Sequence, residues 1–268
     1  MKTLYLSDLD GTLLRSDQKT SKYTDSVINR LVEHGTVFSY ATARSFSTAR
    51  RATEGLRLTS PVIVHNGANI TDPSGTVLWS AAFTEAEKRE IFSAFRRAGM
   101  TPVVYAAIGG RERFSYLKEE CGRAQWEFLL TRIGDGRERE VISRAEALEG
   151  DAFYFTCIDD EGKLSPVLRE LEGKYCCHFP KDIYSGEQWL EVMPKTAGKA
   201  HAAEALKGML GCDRIVCFGD HLNDLPLFAI ADERYAVENA EEALKKIATD
   251  VIGGNDEDGV ARWLGEHA

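Results

Sequence analysis

The stretch Asp8-Leu9-Asp10-Gly11-Thr12, which follows directly on the apolar segment Leu4-Tyr5-Leu6, decides the reading of the fold. The apolar segment reads as a buried strand, so two carboxylates two residues apart stand at its carboxyl end. Together in a low-dielectric cleft they are costly unless a cation or a proton separates their charges. The pair points to a metal site, with a merely acidic strand-end turn as the plain alternative. Gly11 lets the chain turn with positive φ, and Thr12 offers a hydroxyl or a backbone N–H to an anion held there. A calcium loop of the D-x-D-x-D-G type needs Gly at position 13, where Leu13 stands, and is excluded.

Outward from this turn, Tyr23, Val27, Ile28, Leu31 and Val32 recur at helical spacing behind Thr20 and Ser21 as caps, and Gly35 stops the pattern. A second apolar strand over residues 37–41 leads into Thr42-Ala43-Arg44 and a helix over 45–54. Pro61 opens a third strand, 62–64, ending in His65-Asn66-Gly67. Strands alternating with helices predict an α/β fold with a doubly wound, Rossmann-like parallel sheet, whose ligands collect beyond the strands' carboxyl ends. Asp8, Thr42 and Asn66 all stand at such ends.

From residue 70 to 79 the pattern becomes a hairpin with Asp72-Pro73-Ser74-Gly75 as its turn. A capping box at Thr84 to Glu87 then opens a helix that Gly99 closes. Strands follow over 102–106 and 114–117, a helix over 121–130 and an exposed, glycine-rich loop over 133–140. A strand over 151–158, a helix over 164–172 with Pro166 in its first turn, and a strand over 175–178 complete the segment. Residues 82–188 thus read as an inserted α+β domain, and 1–81 with 189–268 as the parallel-sheet core. The core pattern resumes with a helix over 199–210, Gly211, and a strand over 214–218 that delivers Gly219-Asp220-His221-Leu222-Asn223-Asp224. That is a second acidic cluster at a strand end.

The formal net charge of −9 excludes a surface built for nucleic acid or anionic membrane, both of which need clustered positive potential. No apolar run approaches the ~20 residues that span a bilayer. The start, Met1-Lys2-Thr3, has no signal-peptide pattern, so the expected compartment is the cytoplasm. The six cysteines show no C-x-x-C spacing and read as reduced core residues. Adjacent side chains in a strand face opposite ways, so Cys176-Cys177-His178 does not converge on a metal.

In order along the chain, Asp-x-Asp-Gly-Thr after the first strand, Thr42 after the second, Lys199 at a helix start and Gly-Asp-x-x-Asn-Asp after a later strand resemble the four motifs of the haloacid dehalogenase superfamily. The resemblance covers nearly the whole chain. The insertion between the second and third motifs is similar to the C2-type cap of the Cof-type sugar-phosphate phosphatases, as are residues 62–68 and Asp258-Gly259-Val260-Ala261.

The resemblance implies a Mg²⁺-dependent phosphomonoesterase of small phosphorylated metabolites, with sugar phosphates foremost. Asp8 would be the nucleophile that forms an aspartyl-phosphate, and Asp10 the general acid and then the general base. Mg²⁺ would be held by the Asp8 side chain, the Asp10 carbonyl and Asp220, with Asp224 as a further ligand or as the residue that orients Lys199 or a metal-bound water. Thr12, Thr42, the Ala43 N–H, Arg44, Lys199 and Asn223 would bind substrate, Thr42 and Ala43 at a helix start. Each residue also has a plain reading: Thr42 and Asn223 as caps, Lys199 as a solvated helix residue, Asp224 as a helix N-terminal charge. Ala43 replaces the family's usual Gly, which would strain the chain if that position needs positive φ. His221 is not expected to bind metal. Tyr184, Glu187 and Trp189 are candidates for reading the organic part of a substrate. Two other functions share these residues: a phosphomutase on the same fold, and a phosphometabolite-binding regulator without turnover.

Overall fold

Leu4 and Leu6 are wholly buried, and the core sheet is built outward from the strand that carries them. The computed structural model describes residues 1–181 and 186–268. In chain order the elements begin with β1 (Thr3–Ser7), α1 (Lys22–Glu33), β2 (Val37–Tyr40), α2 (Phe46–Ala52), β3 (Val62–Val64), β4 (Asn69–Thr71) and β5 (Val77–Ser80). There follow α3 (Glu85–Arg97), β6 (Val103–Ile108), β7 (Arg111–Tyr116), α4 (Arg123–Leu130), β8 (Glu138–Glu140), α5 (Arg144–Ala147), β9 (Asp151–Asp159), α6 (Glu161–Leu171), β10 (Cys176–His178) and β11 (Gln188–Met193). The chain ends with α7 (Lys199–Leu210), β12 (Arg214–Gly219), α8 (Leu225–Ile230), β13 (Glu233–Val237), α9 (Glu242–Lys245), β14 (Asp250–Ile252) and α10 (Gly259–His267).

The chain divides into two units, Met1–Leu78 with Gly198–Ala268, and Trp79–Ala197. In the first, five parallel strands lie in the order β14-β13-β12-β1-β2. The chain leaves β1 for β2 on one side and returns much later to β12 on the other. The carboxyl ends of β1 and β12 therefore flank a topological switch point, where an open α/β sheet leaves a crevice for ligands. Register places Ser7 beside Phe218, so Asp8 and Asp220 emerge next to each other. Helix α1 is capped by Ser21, which accepts the Thr24 N–H, and buries Val27 and Ile28.

The third strand lies parallel beside the end of β2, with a bridge between Ala41 and Ile63 and the Thr42 N–H on the Ile63 carbonyl at 3.0 Å, and it also pairs antiparallel with β4 in the sheet β3-β4-β5. That second pairing departs from expectation, and its cause is local: His65, Asn66 and Gly67 all take positive φ (51°, 53° and 89°) and reverse the chain immediately into β4.

The second unit is a six-stranded mixed sheet in the order β10-β11-β9-β6-β7-β8, antiparallel except for β7 with β8. Phe92 and Phe95 of α3, Leu164 and Val167 of α6, and Phe155 and Leu190 from the strands share one buried cluster. The capping box at Thr84 and Glu87 is present. Three expectations are corrected here. Strand β11 pairs with β9 and belongs to this unit, so the chain returns to the first unit at residues 197/198 rather than 188/189. Helix α6 begins at Glu161, which puts Pro166 beyond the first turn. The segment 133–140 is not wholly an exposed loop: Arg137 is drawn in by ion pairs with Glu112 and Asp135, and β8 pairs with β7.

All six cysteines are free thiols, and Cys157, Cys212 and Cys217 are buried. Among the described residues, no helix is long and apolar enough to cross a membrane.

Candidate active site

Asp8 leaves the end of β1 with its N–H on the Phe218 carbonyl (2.9 Å), and the residue is only 5% exposed. One oxygen, Oδ1, accepts from Lys199 Nζ at 2.5 Å, and the same ammonium reaches Asp224 Oδ1 at 2.7 Å. Lys199 is 3% exposed, which removes the reading of a solvated helix residue. Its position follows from backbone packing: a Cβ on Gly67 would lie 2.2 Å from the Gly198 carbonyl carbon and 2.6 Å from the Lys199 nitrogen. Only glycine lets the turn after β3 press against the start of α7, and its positive φ suits glycine as well.

Asp224 is fully buried, and both its oxygens are engaged: Oδ1 by Lys199, Oδ2 by the N–H groups of Asp220 (3.1 Å) and His221 (3.2 Å). It therefore fixes Lys199 and the turn after β12, with Oδ2 taken by two backbone N–H groups and Oδ1 shared with the ammonium. Asp220 Oδ1 accepts the Thr12 hydroxyl at 2.8 Å. Thr12 thus orients a carboxylate instead of presenting its hydroxyl to an anion. Gly11, at φ 76°, has no room for a side chain, since a Cβ there would lie 2.4 Å from Asp220 Oδ2.

Carboxylate oxygens of Asp8, Asp220 and Asp224 lie within 4.8 Å of one another. Burial raises the Asp8 carboxyl to about 8, with Asp224 and Asp220 pushing the same way against the opposing pull of Lys199. Asp220 is raised too, first by burial and then by Asp224, against the Thr12 hydrogen bond. Burial works against the charge on Lys199, yet Asp8 and Asp224 together hold its ammonium above the usual lysine range. With all three ionised, the carboxylates facing one ammonium leave an uncompensated charge of −2, which together with burial is why the metal-free site holds a proton on Asp8. An oxygen-rich donor set with that deficit fits a hard divalent cation such as Mg²⁺.

Arg44 grips Asp10 with a fork, Nε to Oδ2 at 2.8 Å and an Nη to Oδ1 at 2.5 Å, and its other contact is Gln18 Oε1 at 3.3 Å. The hydrogen bond to Asp10 raises the guanidinium above the ordinary arginine range. The expected phosphate cradle around Thr42 differs from expectation. The Thr42 N–H donates to the Ile63 carbonyl, its hydroxyl accepts the Arg44 N–H, and the residue is wholly buried. Helix α2 starts four residues later, capped by Ser45, so Thr42 and Ala43 are not at a helix start. Ala43 is exposed and is not among the residues with positive φ, so alanine in place of glycine carries no strain.

The structure thus gathers Asp8, Asp220, Asp224, Lys199 and Thr12, and ties Asp10 to Arg44. Asn223 is exposed and approaches Asn66 Oδ1 at 3.5 Å, outside the acidic group. His221 is exposed and contributes no ligand atom to that group. Of the residues proposed to read substrate, Tyr184 lies outside the described residues. Trp189 packs edge-on against Phe128 at 4.9 Å, and Glu187 is half-buried. Sequence reasoning missed Asn239, whose amide donates to the Gly11 carbonyl at 2.7 Å. Its position just past β13, another carboxyl end of the parallel sheet, is the signal that would have found it.

A family model of haloacid dehalogenase-like hydrolases matches residues 5–264. A 5-amino-6-(5-phospho-D-ribitylamino)uracil phosphatase of Bacillus subtilis is 26% identical over 278 residues, covering 96% of this chain and 95% of the relative. An HMP-PP phosphatase of Serratia proteamaculans is 26% identical over 275 residues, covering 98% and 94%. Among solved structures, a haloacid dehalogenase-like hydrolase from Bacteroides thetaiotaomicron superposes with a TM-score of 0.76 at 24% identity, with 99% of each chain covered.

Proposed function

The chain belongs to the haloacid dehalogenase-like hydrolases and is a phosphatase of that family; we propose that it hydrolyses monoesters of small phosphorylated metabolites through a phosphorylated Asp8. The observation that carries this reading is Lys199, buried between Asp8 and Asp224 beside Asp220 at the switch point of the sheet. An ordinary salt bridge needs one acid; here two converge on one buried lysine at the carboxyl ends of the parallel strands.

Asp8 Oδ2, the oxygen not taken by Lys199, attacks phosphorus, and the bond from phosphorus to the ester oxygen breaks. Asp10 delivers a proton to the departing alkoxide, then takes one from the water that cleaves the acyl phosphate and frees inorganic phosphate. Lys199 holds Asp8 in line and opposes the charge that builds on the phosphoryl oxygens. Asp224 acts only through Lys199. Mg²⁺, held by the Asp8 side chain, the Asp10 carbonyl and Asp220, would supply the positive charge that lets an anionic nucleophile meet an anionic substrate. We leave Asp224 out of that set because its Oδ2 holds two backbone N–H groups and its Oδ1 holds Lys199, a load that favours the positioning role. Arg44 is assigned to Asp10, and Asn223 to the substrate's phosphate. The inserted unit, by resemblance, reads the organic part of the substrate.

The substrate class follows the relatives' names, a phosphoribitylamino-pyrimidine and HMP-PP, alongside the sugar phosphates that the resemblance suggests. The test is a panel of sugar, ribityl and pyrimidine-alcohol phosphates incubated with Mg²⁺, reading released phosphate. Release from at least one monoester that stops on chelation is the expected result. A folded protein that releases phosphate from none of them, nor from p-nitrophenyl phosphate, would overturn it.

A further inference from the structure

We propose that Asn239 is a positioning residue for the Mg²⁺-binding turn, an inference that rests on the reading of that turn given above. The segment after β13 touches both halves of the acidic site. Asn239 Nδ2 donates to the Gly11 carbonyl at 2.7 Å, and two residues on, the Glu241 N–H donates to the Asp220 carbonyl at 2.8 Å. The two halves are joined directly by Thr12, whose hydroxyl meets Asp220 Oδ1 at 2.8 Å. Asn239, Gly11, Thr12, Asp220 and Glu241 therefore close a ring of contacts around the turn. The Gly11 carbonyl that Asn239 holds belongs to the peptide leading into Thr12, so Asn239 sets the plane of that peptide and the aim of the hydroxyl that orients Asp220.

The amide of Asn239 is itself fully determined. Its Oδ1 accepts the Asn255 N–H at 3.0 Å while its Nδ2 faces a carbonyl, so one orientation alone satisfies both partners. Asn255 in turn donates from its own side chain to the Leu14 carbonyl at 2.9 Å. Two asparagines thus clasp the same loop by one backbone carbonyl each, Asn239 at the metal turn and Asn255 three residues further along. Groups that orient ligands without touching the metal set its affinity, because a ligand free to swing loses geometry on binding.

That pairing supplies a matched test. Mg²⁺ binding is measured by calorimetry on the substrate-free, full-length protein, alongside the rise in melting temperature that Mg²⁺ causes, for wild type, Asn239→Ala, Asn239→Ser and Asn255→Ala. Asn239→Ala and Asn239→Ser are expected to weaken Mg²⁺ by about tenfold or more, with Asn255→Ala within about twofold of wild type. Once Mg²⁺ saturates, kcat of the Asn239 variants should return to near the wild-type value, since Asn239 touches nothing that reacts. Wild-type affinity in both Asn239 variants would overturn the proposal. So would an equal loss in Asn255→Ala, which would make Asn239 a general brace of the loop. Failure of the wild type to bind Mg²⁺ is a separate outcome that overturns the metal reading and this inference with it.

Discussion

Lys199 Nζ lies 2.5 Å from Asp8 Oδ1 and 2.7 Å from Asp224 Oδ1, a buried cation held by two acids that arrive from different strand ends. The two acids are not equivalent. Asp8 keeps one oxygen unbonded by Lys199, whereas Asp224 spends Oδ2 on two backbone N–H groups. Substituting Asp224 should therefore spare the metal, in contrast to substituting Asp220, a proposed ligand. Asp220→Asn is expected to abolish Mg²⁺ binding in calorimetry. Asp224→Asn should keep Mg²⁺ within about tenfold while lowering kcat by roughly 10²-fold or more, through a Lys199 no longer held in place. Loss of Mg²⁺ binding by Asp224→Asn would return that residue to the ligand set.

Replacing Asp8 by Asn removes the nucleophile but keeps shape and burial. Turnover should fall by at least about 4 kcal/mol, roughly a thousandfold, with the far-UV spectrum unchanged. A folded variant that retains a tenth of the activity would end the covalent mechanism.

The pH dependence follows from the raised Asp8 carboxyl. Its ordinary value is 3.8 and it is pushed up to about 8, chiefly by burial. Between those values the folded state holds a proton that the unfolded chain has released. The metal-free fold therefore loses stability through this group as pH rises from about 4 to about 8. In chelator, wild type should melt progressively below Asp8→Asn across that window, the asparagine variant being neutral throughout. Mg²⁺ should expel the proton, so binding near neutral pH should release protons, read from calorimetry in buffers of different ionisation enthalpy. A constant melting difference and no proton release would show that Asp8 is already ionised.

The parts of the site that the sequence made legible are those tied to strand ends. Alternating elements place Asp8 and Asp220 at neighbouring carboxyl ends because parallel register is dictated by buried Leu4, Leu6, Val216 and Phe218. What stayed hidden depends on side-chain reach or on short-range backbone geometry. Thr42 stands where expected, yet its N–H goes to the Ile63 carbonyl and its hydroxyl oxygen accepts the Arg44 N–H inside the β2–β3 connection. The left-handed run at His65, Asn66 and Gly67 reverses the chain straight from β3 into an antiparallel β4, a turn that apolar patterning does not encode. Asn239 and Gly11 meet across 228 residues through one amide, a contact with no sequence spacing to betray it.

Arg44 and Asp10 form the last such pair, and their geometry separates two roles for the arginine. If Arg44 serves by holding the Asp10 carboxyl toward the leaving group, its removal should matter only where the leaving group needs a proton. An alkyl phosphate departs as a strongly basic alkoxide and needs one, while p-nitrophenolate is stable as an anion and leaves without it. Arg44→Ala should therefore lower kcat for the best alkyl monoester by about 10- to 100-fold, within the range that a positioned acid contributes. On p-nitrophenyl phosphate it should lose only a few-fold. Arg44→Lys keeps the charge but cannot reproduce the bidentate fork, so it should resemble alanine in this ratio. An equal loss on both esters, appearing in KM, would show instead that Arg44 binds the phosphate itself, and the fork on Asp10 would be a resting contact that substrate displaces.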